Sequence, residues 1–437
     1  MRIAVIPGDG IGVETTAEAV KVLRTVADVY GRPIDLEMLP WSAEHFLKTG
    51  VTIPADGYAI LREFDSIFIG ALGDPRVPDN RHARDILLGT RFELDLYVNY
   101  RPVKLLDARL CPLKDRTPAD VNFVVLRENT EGLYVSVGGR FKAGTEDEVA
   151  IQEELNTYKG VHRIVRHAFE FAKATGRRRV CMADKSNAMT QGHALWQRVF
   201  RELAPRYPGI EPRHLYIDAL VLLMVQNPAQ FDVIVTNNLF GDIITDLGAA
   251  LQGGLGLAAS GNLHPGKTSM FEPVHGSAPP LAGKNIANPM GAILSASLML
   301  DYLGWRHEAA AIDAAVQDAI THNQGTQEIG GALGTRETGD YIAARIRTAE
   351  TARRDEDARQ RADEDRRRED EQHRRQEEDR EREAARRREN EETRAELPAP
   401  DAIRTAPDVR PIEPHSEGPV SSVEPLVERR RNDHDQS

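Results

Sequence analysis

Through the first 346 residues, short apolar runs alternate with longer amphipathic stretches, and this alternation restricts the chain to folds that bury strands between helices. RIAVIP (Arg2 to Pro7) precedes VETTAEAVKVLRTVADVYG, which has helical spacing; IDLEML and SIFIGAL follow as strands with a further helix expected between them. NFVVLREN, RVCMADKSN, HLYIDALVLLMV and DVIVTNN continue the series as strands, so the expected class is α/β. The later runs end in polar residues: Arg127, Lys185, Asp218 and Asn237. Ligands of open α/β sheets gather at the carboxyl ends of strands, which is where chemistry is expected. The stretch EGLYVSVGGRFKAGTEDEVAIQEELNTYKG departs from the pattern, being strand-like around a Gly-Gly turn signal, and reads as a projecting hairpin arm.

After Ile346 the alternation stops. TAETARRDEDARQRADEDRRREDEQHRRQEEDREREAARRRENEETRAE has almost no apolar residue but alanine, and so lacks the seam of a coiled coil. Acids stand four residues before bases at Glu350/Arg354, Asp355/Arg359, Asp357/Arg361, Asp363/Arg367, Glu364/Arg368, Asp370/Arg374, Glu371/Arg375, Glu378/Arg382 and Glu383/Arg387, the order that supports a helix in water. Residues 350–396 are therefore read as a charged solvated helix, with plain disorder as the alternative, and the Pro-rich residues 397–437 as a disordered tail. A formal charge of −12 argues against nucleic-acid and anionic-membrane partners. No apolar run has the length of a membrane span, and the first one is too short for a signal sequence. Cys111 and Cys181 are the only cysteines, which excludes a disulfide framework and a cysteine-based zinc site; a cytoplasmic location is the expectation.

The stretch FGDIITDL sets Asp242 and Asp246 four residues apart in an oily segment, where a helix would place both carboxylates on one face. No Lys or Arg occurs between Phe231 and Gly266 to offset their repulsion. Three readings stay open: a bound divalent metal, a distant basic side chain, or a solvated first turn after Asn237 and Asn238. Arg91, Arg101 and Arg127 would hold carboxylates of a small anion if they converged, and scattered surface arginines are the alternative. Tyr134 and Lys185 are candidate proton carriers by position, although such residues are more often structural. PGDGIG (Pro7 to Gly12) permits close backbone approach to a ligand, but its spacing is not the dinucleotide fingerprint. FEPVHGSAPPLAGKNIANP (Phe271 to Pro289) reads as a long loop between helical regions, offering backbone amides, His275, Ser277 and Asn288 to a ligand.

Taken in order, IPGDGIG, RFELDLYVNYRP, VVLRENTEGLYV, ADKSN, YIDAL, TNNLFGDIITDL, MFEPVHGSAP and AGKNIANP closely resemble the β-decarboxylating dehydrogenases, the family of isopropylmalate, isocitrate, homoisocitrate and tartrate/D-malate dehydrogenases. The resemblance spans residues 1–346 and is closest to the 3-isopropylmalate enzymes. It implies a two-domain α/β fold with a central mixed sheet and an interdomain cleft, extended here by the charged C-terminal segment. Residues 1–99 and 252–346 would form a discontinuous cofactor-binding domain, and residues 100–251 a substrate, metal and dimerisation domain. It also implies NAD- and metal-dependent oxidative decarboxylation of a 2-hydroxy acid, with Mg²⁺ or Mn²⁺ held by Asp242 and Asp246 of one subunit and Asp218 of the other. Arg91, Arg101 and Arg127 would hold substrate carboxylates, Lys185 beside Asp218 would relay the hydroxyl proton, and Tyr134 would protonate the enol carbon. A homodimer with shared active sites follows. Ile11, Asn187, Glu272, His275, Gly276, Ser277, Ala278 and Asn288 would bind NAD.

Two departures qualify the resemblance. Pro280 stands where the family carries an aspartate for the adenosine ribose, yet neither Pro280 nor Leu281 offers a charge for a 2′-phosphate, so NAD is favoured. Leu87 and Leu88 match the apolar wall of an isopropylmalate pocket, while Arg84 replaces an acid and would favour another anion. Tartrate/D-malate dehydrogenase, or a non-catalytic scaffold acting through the charged tail toward an unknown partner, are the alternatives.

Overall fold

The computed structural model describes residues 1–395; the tail expected to be disordered, 397–437, lies outside the described residues. Contacts divide the chain into two units, Met1–Ala358 and Arg359–Ser437. The first is built on twelve strands: β1 Arg2–Ile6, β2 Asp35–Met38, β3 Ser66–Ile69, β4 Val98–Lys104, β5 Asn122–Glu128, β6 Gly138–Phe141, β7 Val149–Gln152, β8 Arg179–Asp184, β9 Glu211–Tyr216, β10 Val233–Thr236, β11 Ala259–Leu263 and β12 Ser269–Pro273. Ten of these form one sheet in the order β2-β1-β3-β12-β11-β4-β5-β10-β8-β9. Pairing is parallel except where β4 meets β5 and β11, and where β11 meets β12. The mixed α/β sheet is thus as expected. Residues 1–99 and 252–346 supply the strands on one side of β4 and residues 100–251 those on the other.

The central strands read as unbroken apolar runs because helices cover both faces of the sheet. Ile3 to Ile6, Ser66 to Ile69 and Val233 to Thr236 are all buried. The main core packs Val5, Leu23, Phe68, Val124, Phe169, Val180, Trp196, Val235 and Ile293 together; smaller clusters gather around Phe123, Ile234 and Ile244, and around Ile6, Phe64 and Ile86. β6 and β7 pair only with each other, forming the expected hairpin, on which Phe141, Val149 and Ile151 are exposed.

Two expectations need correction. HLYIDALVLLMV is not one strand: β9 ends at Tyr216 and Ile217–Gln226 is a helix, with Asp218 in its first turn. An apolar run of that length fits either element, and burial on a single helix side decides it here. Phe271 to Pro289 is not wholly a loop between helices, because Phe271 to Pro273 completes the buried strand β12.

The helix Thr335–Ala395 starts in the first unit, where Ile342 and Ile346 join the core, and from Arg359 its residues belong to the second. Residues 359–394 are exposed, as expected of a solvated helix. Of the nine expected acid–base pairs, Glu350–Arg354, Glu371–Arg375 and Glu383–Arg387 close as ion pairs. The other six do not, which is ordinary for exposed pairs that must give up side-chain entropy to form. Among the described residues no helix is long and apolar enough to cross a membrane.

Candidate active site

The helix Asn238–Gln252 follows β10 directly, and Asn237 caps it: its side-chain oxygen accepts the Phe240 N–H at 2.9 Å. The cap fixes the helix start, so Asp242 and Asp246 lie one turn apart on the same side. The basic partner missing from the local sequence comes from the sheet. Arg127, at the end of β5, is fully buried and donates to Asp242 Oδ1 at 2.7 Å; Arg101 on β4 reaches the same oxygen at 3.3 Å. β4 and β5 pair so that Arg101 and Arg127 point to one face of the sheet. Gly241 lets the helix approach, since a β-carbon there would lie 2.5 Å from the Arg127 side chain.

Tyr134 donates its hydroxyl to the other oxygen, Asp242 Oδ2, at 2.6 Å, and its ring lies under the Arg127 guanidinium, 5.2 Å from the centroid. Burial works against the Asp242 charge, but Arg127 and Arg101 outweigh it and hold the carboxyl below the usual range. Asp246 goes the other way: burial raises it against the pull of Arg101, with Asp242 adding to the rise, and among the described residues it makes no hydrogen bond or ion pair. Burial and the neighbouring Arg101 push Arg127 down to about 9, which leaves it cationic at neutral pH. Burial, then the Asp242 contact, raises the Tyr134 phenol, so it stays protonated.

Two buried guanidiniums thus share one carboxylate oxygen, an imbalance that an anionic ligand would neutralise. Arg91 pairs with Glu272 at 2.8 Å, and Glu272 also accepts from Asn262. The Nε atoms of Arg91 and Arg101 are buried without partners, open donors of the kind a carboxylate satisfies. Leu87 and Leu88 are half-buried in a π-helical turn, Arg84–Leu88, just before Arg91, with Leu87 packed on the Ile86 cluster. Arg84 is exposed beside Asp85.

A second group forms around the glycine-rich turn. Asp9 N donates to Ala71 O at 2.7 Å and Ile11 N to Ser277 O at 2.8 Å, so PGDGIG and the loop after β12 are joined. Gly10 has φ +57°, and a β-carbon there would sit 2.1 Å from Ser277 O, so only glycine fits. His82 and Asp9 lock the turn from behind at 2.9 Å. His275, Ser277 and Asn288 are buried; His275 Nε2 and Asn288 Nδ2 lack partners. Burial keeps the His275 imidazole neutral. Gly276 and Ala278, the latter in the left-handed region, complete the turn.

The third group is Lys185 and Asp218, whose Nζ and Oδ1 are 2.5 Å apart, with Asn187 exposed nearby in sequence. Among the described residues no hydrogen bond or ion pair joins this pair to Asp242 or Asp246, and no three carboxylate, histidine or cysteine side chains converge to hold a metal. The sequence reading missed Asn238, which accepts both Nε and Nη2 of Arg127, and Thr245, which accepts from Arg101. It also missed His193, buried behind Lys185, and its half-buried partner Glu154. Asn238 and Thr245 carried a signal, since both share the helix with the two aspartates.

The family model for isocitrate/isopropylmalate dehydrogenase matches residues 2–342. The chain is 46% identical over 348 residues to 3-isopropylmalate dehydrogenase of Thermobifida fusca (strain YX), covering 79% of this chain and 98% of that one. It is 44% identical over 351 residues to the decarboxylating D-malate dehydrogenase of Escherichia coli (strain K12), covering 78% and 97%. The crystal structure of isocitrate dehydrogenase from Methylococcus capsulatus superposes with a TM-score of 0.72 at 35% identity, covering 79% of this chain and 99% of that one.

Proposed function

The chain belongs to the isocitrate/isopropylmalate dehydrogenase family and is a decarboxylating dehydrogenase, and from that premise we propose that it oxidises and decarboxylates 3-isopropylmalate to 2-oxoisocaproate, using NAD and Mg²⁺ or Mn²⁺. The observation that carries this reading is the Asp242 carboxylate shared by Arg101, Arg127 and Tyr134. The donor set suits the metal: Asp246 is a carboxylate beside Asp242 with no partner among the described residues, and hard divalent cations take carboxylate oxygens. When bound, the ion would polarise the substrate hydroxyl and steady enolate charge, and NAD would take the hydride.

The protein's own groups do the rest. Arg101 and Arg127 bind carboxylates through buried forks, and Arg91, braced by Glu272, adds a third. Tyr134, kept protonated, delivers its hydroxyl proton to the enol carbon. Lys185 relays the proton of the substrate hydroxyl, its ammonium passing a proton to the paired Asp218 carboxylate as it takes the one from the hydroxyl. Leu87 and Leu88 cover the isopropyl group, a contact worth about 1.5–3 kcal/mol for full burial. The open His275 and Asn288 atoms and the Ile11–Ser277 junction favour a nucleotide there, which Glu272 and Asn187 would also help to hold. The uncharged Pro280 and Leu281 favour NAD over NADP.

A homodimer with shared sites fits the separation of Lys185 and Asp218 from the Asp242 group. It also fits the exposed Leu222, Val225 and Ile243 on the helices Ile217–Gln226 and Asn238–Gln252, an apolar face that a second copy would cover. The division into residues 1–99 with 252–346 and residues 100–251 would then separate cofactor binding from metal binding and dimerisation.

The second reading is a D-malate or tartrate enzyme. The D-malate relative at 44% identity and the exposed Arg84 beside the leucines favour it. Steady-state kinetics on 3-isopropylmalate, D-malate, tartrate and isocitrate, with NAD and NADP and with and without Mn²⁺, separates the two. The proposal expects 3-isopropylmalate turnover with NAD that a chelator abolishes; selective turnover of another acid rejects it.

A further inference from the structure

Lys185 is the first residue beyond β8, where the ladder no longer holds its backbone. Its N–H donates instead to His193 Nδ1 at 2.7 Å. Because Nδ1 accepts, the ring hydrogen sits on Nε2, which faces Glu154 at 3.2 Å. Glu154 follows the hairpin strand β7 and also accepts from the Asn237 side-chain amide at 2.7 Å. His193 is 1% exposed, so this contact cannot be exchanged for water. Burial opposes the Glu154 charge, but His193 and Asn237 outweigh it and keep the carboxyl low, as an anion that fixes the imidazole tautomer. Asn237 in turn caps the helix bearing Asp242 and Asp246.

We propose that His193, oriented by Glu154, is a positioning residue for Lys185, setting the backbone from which the lysine reaches Asp218. It rests on the role given to Lys185 above. Neither His193 nor Glu154 touches substrate. The same buried node ties three segments together: the Lys185 turn, the return of the hairpin arm, and the start of the Asp242 helix. The lysine's aim is therefore set together with the metal-side carboxylates.

The test uses the full-length protein with NAD and Mn²⁺. His193→Leu removes the acceptor; His193→Asn keeps one, because its Oδ1 takes the place of Nδ1. The expected result for His193→Leu is a kcat loss of about tenfold or more with KM changed less than about twofold, and for His193→Asn recovery to within about threefold of wild type. Hydrogen–deuterium exchange supplies a readout apart from turnover: the Lys185 amide should be protected in the wild type and exchange about tenfold faster or more in His193→Leu. A wild-type kcat in His193→Leu, or equal losses in both variants, overturns the proposal. If His193→Leu does not fold, a fast-exchanging Lys185 amide in the folded wild type overturns it equally. Failure of the wild type to turn over any 2-hydroxy acid would defeat the proposed function instead, and the amide protection would still report on the positioning.

Discussion

Replacing Asp242 by asparagine keeps the side-chain size and one acceptor oxygen but removes the charge that two buried guanidiniums share. The hydrogen bonds from Arg127 at 2.7 Å and Tyr134 at 2.6 Å lose their charge assistance, and the Arg101 guanidinium at 3.3 Å loses its counter-charge. Hydrogen bonds to charged groups contribute about 1.5–3 kcal/mol and neutral ones about 0.5–1.5, so two such changes cost about 2 kcal/mol. Relief of the Asp242–Asp246 repulsion returns about 0.2–0.5 kcal/mol. The Asp242 side chain is 37% exposed, so solvent screening trims the net loss to about 1–2 kcal/mol. For a body of this size that is a drop of about 1–3 °C in Tm. The metal response should change more. Mn²⁺ at about a hundredfold excess over its Kd would add about 2.7 kcal/mol to the wild type, and the variant should lose most of that gain. Thermal unfolding with and without Mn²⁺, together with isothermal titration of Mn²⁺, measures both. An unaltered Mn²⁺ affinity would refute the metal assignment, and a metal-free variant as stable as wild type would refute the claim that Arg101 and Arg127 depend on this charge.

Tyr134→Phe should lower kcat by about 10²–10⁴-fold with little change in substrate KM, read by steady-state kinetics; an equal change in both would make the hydroxyl a binding group. Asp246→Asn should stabilise the metal-free protein at pH 7 by about 0.2–0.5 kcal/mol while weakening Mn²⁺ binding. The sign follows from its raised carboxyl: ionising Asp246 costs the folded state more than the unfolded one. The advantage of the variant should therefore disappear as pH falls below the unfolded carboxyl's range and Asp246 protonates in both states, and denaturant titrations at pH 7 and about pH 3 would show it. Leu88→Ala should raise the KM for 3-isopropylmalate about tenfold and leave that for D-malate within about twofold; parallel changes would remove Leu88 from the isopropyl pocket.

The aspartate pair shows what sequence can and cannot carry. Four-residue spacing on a helix and a local lack of cations already implied an outside partner, and the partners proved to be Arg101 and Arg127. Their convergence was not written in their spacing of 26 residues, because it depends on β4 and β5 being antiparallel neighbours with both arginines on one face. β4 itself was hidden, since RFELDLYVNYRPVK mixes charged and apolar residues and shows no unbroken buried run. β9 and the helix after it were merged for the opposite reason: YIDALVLLMV is apolar but for Asp218, and such a run does not distinguish a strand from a partly covered helix.

The same limit explains why Glu154 and His193 were passed over. Neither lies in a stretch with a chemical signature, and 39 residues separate them. Only the pairing of the hairpin arm and the turn after β8 brings a carboxylate, an imidazole and the Lys185 backbone to one buried point. A buried imidazole and a half-buried carboxylate at a strand end beside a lysine cost folding energy in desolvation, and the structure shows what that cost accompanies: a backbone donor fixed where the sheet can no longer fix it. Substitutions in this node should therefore act on Lys185 before they act on global stability. That order of effects distinguishes a positioning device from ordinary core packing.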